Sequence, residues 1–554
     1  MLDLLSTAPS AETIKILKTA VPIGVGLASA AYFLVKTILD DGYSLDKTIP
    51  TVPIRSGDYT HDYEYMENPD AFLKHCEEKY GPVFNCNIRG APFTVISGAI
   101  VREIFTNDDF SFKDAAEDIT GSISFTQSIV KSCKDKDAAT KVLHEIIRDN
   151  VSNQIPLLTP RIVRQMTGVL ERDMGVCDRK LVENPMLLIL EMVSTAMVDV
   201  FMGAELAKNP EVVQTFAWCT YDFGQVIGPQ VRASRFTKWF VRMKYIYLFN
   251  PLPKHVKVLI RAATPVILQR RREEEEAVAK GIPYNRPMDI LQGLLDDFEK
   301  YNFIDIDDVC GFLVVLVLTA IHSTTDSCTN MTFYLAAYPE VVEPLYQEQV
   351  EVLNQVAKER EQERQEKLKS GEVSSAKDFE GTELDPKNDR DYTANVLKRL
   401  EKMDSFIREV MRFRMEKLRL EHMAMKDITL SNGMVITKGK KIIVNVRSVH
   451  QDDKLQDGNA TEFLPWRFVG KNKASTPSVG YLSFGMGRHA CPGRFLAVQE
   501  LKTVASLMVS RYSKFEFQDP SKTTEALLAL IGSNVPTGLY FTSRVPENAP
   551  AQAV

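Results

Sequence analysis

The chain has 554 residues, 44% of them hydrophobic, enough for a large core and more than one domain of usual size requires. Its 67 basic and 73 acidic side chains leave a net charge of −6, which excludes the basic field that draws a protein to nucleic acid. Eight cysteines are scattered with no CxxC pair, which excludes a disulfide framework and fits individual thiols in a reducing compartment.

From Thr19 to Val35 the sequence TAVPIGVGLASAAYFLV carries no charge and is flanked by Lys18 and Lys36. It sits at the short end of the roughly 17–25 residues that cross a bilayer, and reads as a membrane anchor within residues 1–40. A cleaved signal peptide is the rival reading. The two prolines of TIPTVP, Thr48 to Pro53, favour the anchor, because they stiffen a linker over 41–60 between membrane and body.

From Asn68 the pattern predicts a capped helix, a turn at Gly81-Pro82 and two short strands around Arg89-Gly90. Residues 142–200 and 211–276 place apolar side chains at helical spacing, so the body is mostly α with a small β part. Asp305 to Pro339 predicts a helix on the order of 50 Å long whose centre is apolar on every face. That pattern fits a helix crossing the core of a large domain. A second membrane span is the alternative, disfavoured because the uncharged part before His322 is only about a dozen residues. In mid-helix stands the polar cluster His322, Ser323, Thr324, Thr325, whose hydroxyls can bond back one turn and distort the helix. Between 355 and 395 charged residues take over, predicting solvated helix and then a disordered surface insertion.

Near the C-terminus the chain reads FGMGRHACPGR, Phe484 to Arg494. Gly485 and Gly487 let the backbone turn and approach something flat, Phe484 offers an aromatic face, and Arg488 and His489 stand as positive donors beside Cys491. Such a loop suits a thiolate metal ligand. Upstream, SFIREVMRFR puts Glu409 and Arg412 at i and i+3 on one helix face, and FLPWRF carries Arg467.

These pieces, in this order from about Thr51, resemble the cytochrome P450 family of haem-thiolate monooxygenases. Its cysteine loop F-x-x-G-x-[RH]-x-C-x-G is filled by Phe484, Gly487, His489, Cys491 and Gly493. The resemblance implies the P450 fold, mostly α with small β-sheets behind an N-terminal transmembrane helix. It also implies a haem-binding domain over 61–545 and haem b (iron protoporphyrin IX) ligated by Cys491. Glu409 and Arg412 match the family's E-x-x-R and Arg467 its P-x-R-F, implying a buried three-residue network beneath the haem.

By the same resemblance, cations for the haem propionates are His489, His144 and Arg148 where the family has W-x-x-x-R, and His422, with Arg488 and Gly485 also in the cysteine loop. AIHSTT stands where the family has [AG]-G-x-[DE]-T-[TS]. Ala320, Thr324 and Thr325 fit, Ile321 replaces the glycine and Ser323 replaces the acid. Similar runs occur in fungal members acting on terpenoid-like substrates. Thr324 is expected to organise proton-delivering water, with Ser323 beside it and His322 or Asp326 as proton sources. Phe312, Val315, Leu316, Thr319 and Ala320 are expected to line the substrate pocket.

The implied partners are NADPH-cytochrome P450 reductase, cytochrome b5 and a hydrophobic substrate. The implied location is the endoplasmic reticulum membrane, crossed once, with the catalytic body on the cytosolic face. The missing acid at Ser323 leaves a haem-thiolate isomerase or dehydratase acting on a peroxide as an alternative, and a non-enzymatic haem sensor as another. Retention of Thr324 argues against both.

Overall fold

The computed structural model describes residues 48–58, 60–132, 136–232, 238–414, 418–527 and 535–544. The expected anchor over 1–40 lies outside the described residues. The proline-bearing end of the linker does not stand free as a spacer. Thr51 bridges to Asn85, and the Asn85 amide donates to the Ile49 carbonyl at 3.3 Å, so this stretch lies along the first strand.

The first described long helix, α1 (Pro69–Tyr80), starts at Asn68, whose side chain accepts from the Ala71 amide, with Pro69 in the first turn where no amide partner is needed. Strands β1 (Val83–Ile88) and β2 (Ala91–Ile96) follow as an antiparallel hairpin through Arg89 and Gly90, both at positive φ. Then come α2 (Val101–Thr106), β3 (Phe110–Ser111), α3 (Phe112–Thr120), α4 (Lys136–Ile146), α5 (Ile155–Asp173), β4 (Lys180–Val182) and α6 (Pro185–Met202). Next are α7 (Pro210–Arg232), α8 (Lys238–Tyr247), α9 (Leu252–Lys280), α10 (Ile306–Ala337), α11 (Val342–Ser370) and α12 (Glu401–Arg414). The C-terminal part holds β5 (Leu418–Ala424), β6 (Ile428–Thr429), β7 (Val435–Ile436), β8 (Lys441–Asn445), α13 (Val446–His450), α14 (Arg494–Arg511), β9 (Tyr512–Phe517) and β10 (Leu539–Ser543). Three small sheets result, of order β1-β2-β8-β5-β3, β4-β10-β9 and β6-β7. The fold is mostly helical with small sheets, as the composition and periodicity predict.

The axis of the molecule is α10. Asp305 caps it by accepting from the Asp308 amide at 2.9 Å, and the helix packs against α6, α7, α9, α12 and α14. Gly311 is required where it stands, because a Cβ there would lie 2.1 Å from the Ile129 carbonyl oxygen. Both α6 and α10 are apolar and long enough to cross a membrane, yet most of each apolar stretch is buried inside the protein. The second-span alternative therefore gives way to a core helix.

The charged segment departs from its expected disorder. Helix α11 runs to Ser370, two short 3₁₀ turns follow at Ala376–Phe379 and Pro386–Asn388, and Phe379 is buried. Arg364, nearly buried, donates to Asp389 at 2.9 Å and to the Leu384 carbonyl at 3.0 Å. One aromatic and one desolvated ion pair are enough to fasten a segment whose composition is otherwise that of a solvated chain.

Candidate haem-thiolate site

The cysteine loop is held by its own backbone. The Cys491 amide donates to the Phe484 carbonyl at 2.8 Å, and the Gly485 amide donates to the Leu482 carbonyl at 2.9 Å. Gly485 and Gly487 both have positive φ, and a Cβ on Gly487 would approach the Phe105 carbonyl oxygen to 2.5 Å, so the loop lies directly on α2. Phe484 is buried below it. Cys491 stands just ahead of α14, and the amides of Gly493 and Arg494 donate toward its sulfur. Burial pushes the thiol above its ordinary value, while those amides and the Arg494 guanidinium pull it back toward the thiolate. Yet Cys491 is the one free cysteine among the described residues whose surface is exposed. Its thiol is thus flanked by protein amides on one side and accessible on the other. This donor set fits a ligand whose metal supplies the remaining stabilisation of the thiolate.

Beneath the loop the structure brings Glu409, Arg412 and Arg467 together. Arg412 grips Glu409 with Nε to Oε2 at 2.7 Å and Nη2 to Oε1 at 2.8 Å, both side chains fully buried. Arg467 Nε donates to the same Oε1 at 3.1 Å, and its Nη1 reaches the Gly458 carbonyl at 2.7 Å. Both oxygens of this buried anion are engaged, Oε2 by Arg412 alone and Oε1 by Arg412, Arg467 and the Leu464 amide at 2.9 Å, the condition under which a buried charge is tolerated.

The expected propionate cations fall in several environments. His422 is buried, with its ring 5.5 Å from that of Phe105 and 5.9 Å from that of Phe112. A bulge in β5, with Leu420 at φ +59°, aims it there, and its Nδ1 bonds the Leu420 carbonyl at 2.8 Å. Arg488 is half-exposed and pairs with Asp108 at 3.2 Å. His144 is exposed and held below its ordinary value by partial burial and by the nearby Lys113. Arg148 is exposed and turned onto its neighbour Asp149, to which it donates twice, at 2.7 and 2.8 Å. The side chain of His489 lies outside the described residues. Two cations that the motifs did not single out stand close to these residues, Lys113 on α3 near His144 and Arg494 at the start of α14 near Cys491. Lys113 carries no sequence signal, because only the fold brings α3 beside β5, whereas Arg494 ends the quoted cysteine stretch, three residues after Cys491.

Along α10, Val315 and Ala320 are half-buried and Thr319 and Ser323 are exposed, an open stripe in the middle of a core helix. Phe312 and Leu316 are instead buried in the hydrophobic core, Phe312 with its ring 5.9 Å from Phe303. The hydroxyls of Ser323 and Thr325 bond back to the carbonyls of Thr319 and Ile321, at 3.3 and 2.9 Å, whereas buried Thr324 makes no such bond. Neither proton source named from sequence is free for that task. His322 Nε2 bonds the Ala217 carbonyl at 3.0 Å, and Asp326 is paired with Arg414.

An exposed cysteine at the end of a glycine loop, an open stripe on the core helix that packs against α14 and a buried Glu-Arg-Arg network together have the character of a haem-thiolate protein. The family model of cytochrome P450 matches residues 59–369 and 383–537, and the chain belongs to that family, whose cofactor is haem b. Similar proteins include cytochrome P450 monooxygenase 71 of Postia placenta, 24% identical over 88% of this chain and 90% of the relative. Cytochrome P450 monooxygenase eqxH of Fusarium heterosporum is 28% identical over 66% of each chain, and cytochrome P450 monooxygenase paxP of Penicillium paxilli 25% over 73% of each. The likeness is thus to fungal members of the family. The gap in the family match, 370–382, falls in the charged segment after α11.

Proposed function

We propose that the protein is a membrane-anchored monooxygenase that hydroxylates a hydrophobic small molecule of terpenoid or steroid type. Electrons come from NADPH through a cytochrome P450 reductase, with cytochrome b5 as a second donor. The body sits on the cytosolic face of the endoplasmic reticulum, joined to a single N-terminal span. Haem b supplies the activation of dioxygen and the transfer of one oxygen atom to the substrate.

The chain's own residues bind, orient and move protons. Cys491 gives the thiolate, its charge shared with the amides of Gly493 and Arg494. Phe484, Gly485 and Gly487 would shape the bed for the ring, and His422, Arg488 and His489 would donate to its propionate edge; His144, held below its ordinary value, would join them as a neutral donor, and Arg148 only on leaving Asp149. Glu409, Arg412 and Arg467 hold the segment that carries the loop. Val315, Thr319 and Ala320 face the substrate with Phe312 and Leu316 packed behind them, and an apolar wall of this kind selects hydrophobic ligands. Thr324 Oγ1, free of any bond to the preceding turn, holds the proton-delivering water, with Ser323 beside it.

The observation that carries this reading is exposed Cys491 at the end of its glycine loop, with the amides of Gly493 and Arg494 directed at its sulfur. Replacing Cys491 by Ser leaves the fold but removes the thiolate-type spectrum of the reduced carbon monoxide complex, because a hydroxyl is a poor ligand for this iron. An unchanged spectrum places the ligand elsewhere. Reductase-dependent NADPH oxidation with a panel of terpenoids and steroids then reports the substrate class.

A further inference from the structure

His450 closes α13 and is fully enclosed, yet no catalytic motif includes it. Its ring is used on both sides. Nδ1 lies 2.9 Å from the Arg412 carbonyl, and Nε2 lies 2.8 Å from the Leu482 amide. A backbone amide only donates and a carbonyl only accepts, so the two partners fix one neutral tautomer, with the proton on Nδ1 and the lone pair on Nε2. The contact is reciprocal, because the Arg412 guanidinium donates to the His450 carbonyl. The ring also stacks on Tyr481, 6.0 Å away at 14°, and the other neighbour of that tyrosine is the Arg408 guanidinium, 3.8 Å from its ring.

What His450 joins gives it meaning. Arg412 is the arm of the Glu409 network on α12. Leu482 is the residue whose carbonyl takes the Gly485 amide, at the root of the turn where the Phe484 carbonyl takes the Cys491 amide. Other ties between the two regions are weaker or peripheral, such as Ser483 Oγ to the Met411 carbonyl at 3.3 Å. We propose that His450 is a positioning residue for the thiolate ligand, a neutral imidazole bridge that carries the geometry of the buried Glu409-Arg412 pair into the loop holding Cys491. This rests on the reading of Cys491 as the haem ligand.

Gln can donate and accept at similar reach, Leu fills the space and does neither, and Asn is too short to span both partners. The test compares the three variants at equal haem content by the ratio of thiolate-type to non-thiolate carbon monoxide complex, alongside thermal unfolding. His450→Leu is expected to lower that ratio about fivefold, the size that loss of a neutral hydrogen bond produces in an equilibrium, while His450→Gln restores most of it. If His450→Leu retains no haem, His450→Asn is measured in its place with the same expectation. A wild-type ratio in the variant measured, or a Gln variant as impaired as it is, overturns the proposal, because the side chain is then only filling space. Failure of the ligand reading itself looks different, since Cys491→Ser would then keep the thiolate-type spectrum whatever stands at 450.

Discussion

Thr324 and Ser323 are adjacent hydroxyls with opposite surroundings, one buried without a bond to its own helix and the other open and bonded back to Thr319. Only the first is available to hold a proton carrier, and a positioned proton transfer contributes about 10²–10⁴-fold to a rate. Thr324→Ala is therefore expected to keep substrate binding and NADPH oxidation while diverting most of the electrons to hydrogen peroxide. Ser323→Ala is expected to change coupling only mildly. Product formed per NADPH checks both, and unchanged coupling in Thr324→Ala removes this residue from the proton path. A second prediction concerns acid. Burial holds His450 at about 3, against an ordinary 6.5. As pH falls below about 6.5 the unfolded chain takes up a proton that the folded chain refuses until about 3, so the neutral ring's contribution is full above that window and lost on descending through it. The unfolding midpoint should fall across this range, and His450→Gln should flatten that part of the curve. The motif residues Glu409, Arg412, Arg467 and Cys491 were legible in sequence through the resemblance of the motifs that hold them to those of the cytochrome P450 family. His450 was not, because both its partners are backbone atoms, one of them 38 residues away.

At the scale of elements, periodicity predicted α10 almost to its ends, since Asp305 is a cap and Pro339 a stop. The segment after α11 was misjudged for a reason composition cannot show. Phe379 and the Arg364–Asp389 pair are three residues among many charged ones, yet they decide whether the chain packs. Replacing Glu372 to Gly381 with a short glycine-serine linker removes Phe379, whose burial is worth about 1.5–3 kcal/mol, and leaves the ion pair in place. The expected result is a lower unfolding midpoint with full haem content. Asp389→Ala should also lower the unfolding midpoint, because the nearly buried Arg364 guanidinium then keeps only Glu361, itself half-exposed, at 2.9 Å. Loss of haem in the linker variant would mean that the segment supports the cysteine loop as well as itself.

For the molecule as a whole, the proposed membrane attachment raises the question of which parts of the chain would carry it. The two long apolar helices in the described body are mostly buried in its core, so neither is free to cross a membrane. The proposed anchor is the uncharged run from Thr19 to Val35, and α8 with its continuation offers a second feature. Trp239, Phe240, Tyr247, Leu248 and Phe249 are 44, 60, 72, 75 and 55% exposed, with Lys244 lying 5.1 Å from the Phe249 ring. Aromatic side chains beside a cation suit the boundary between lipid and water, where attachment is reversible, whereas a spanning helix is held almost irreversibly. Deleting residues 1–40 should therefore move most of the protein to the soluble fraction. A remainder should still sediment with anionic vesicles, and Trp239→Ser combined with Phe240→Ser should release it. The same double substitution in the full-length chain should leave membrane association intact, since the span dominates. If full-length and truncated proteins partition alike, the N-terminal run is not the anchor. If the remainder survives the double substitution, the exposed aromatics of α8 are not the second attachment.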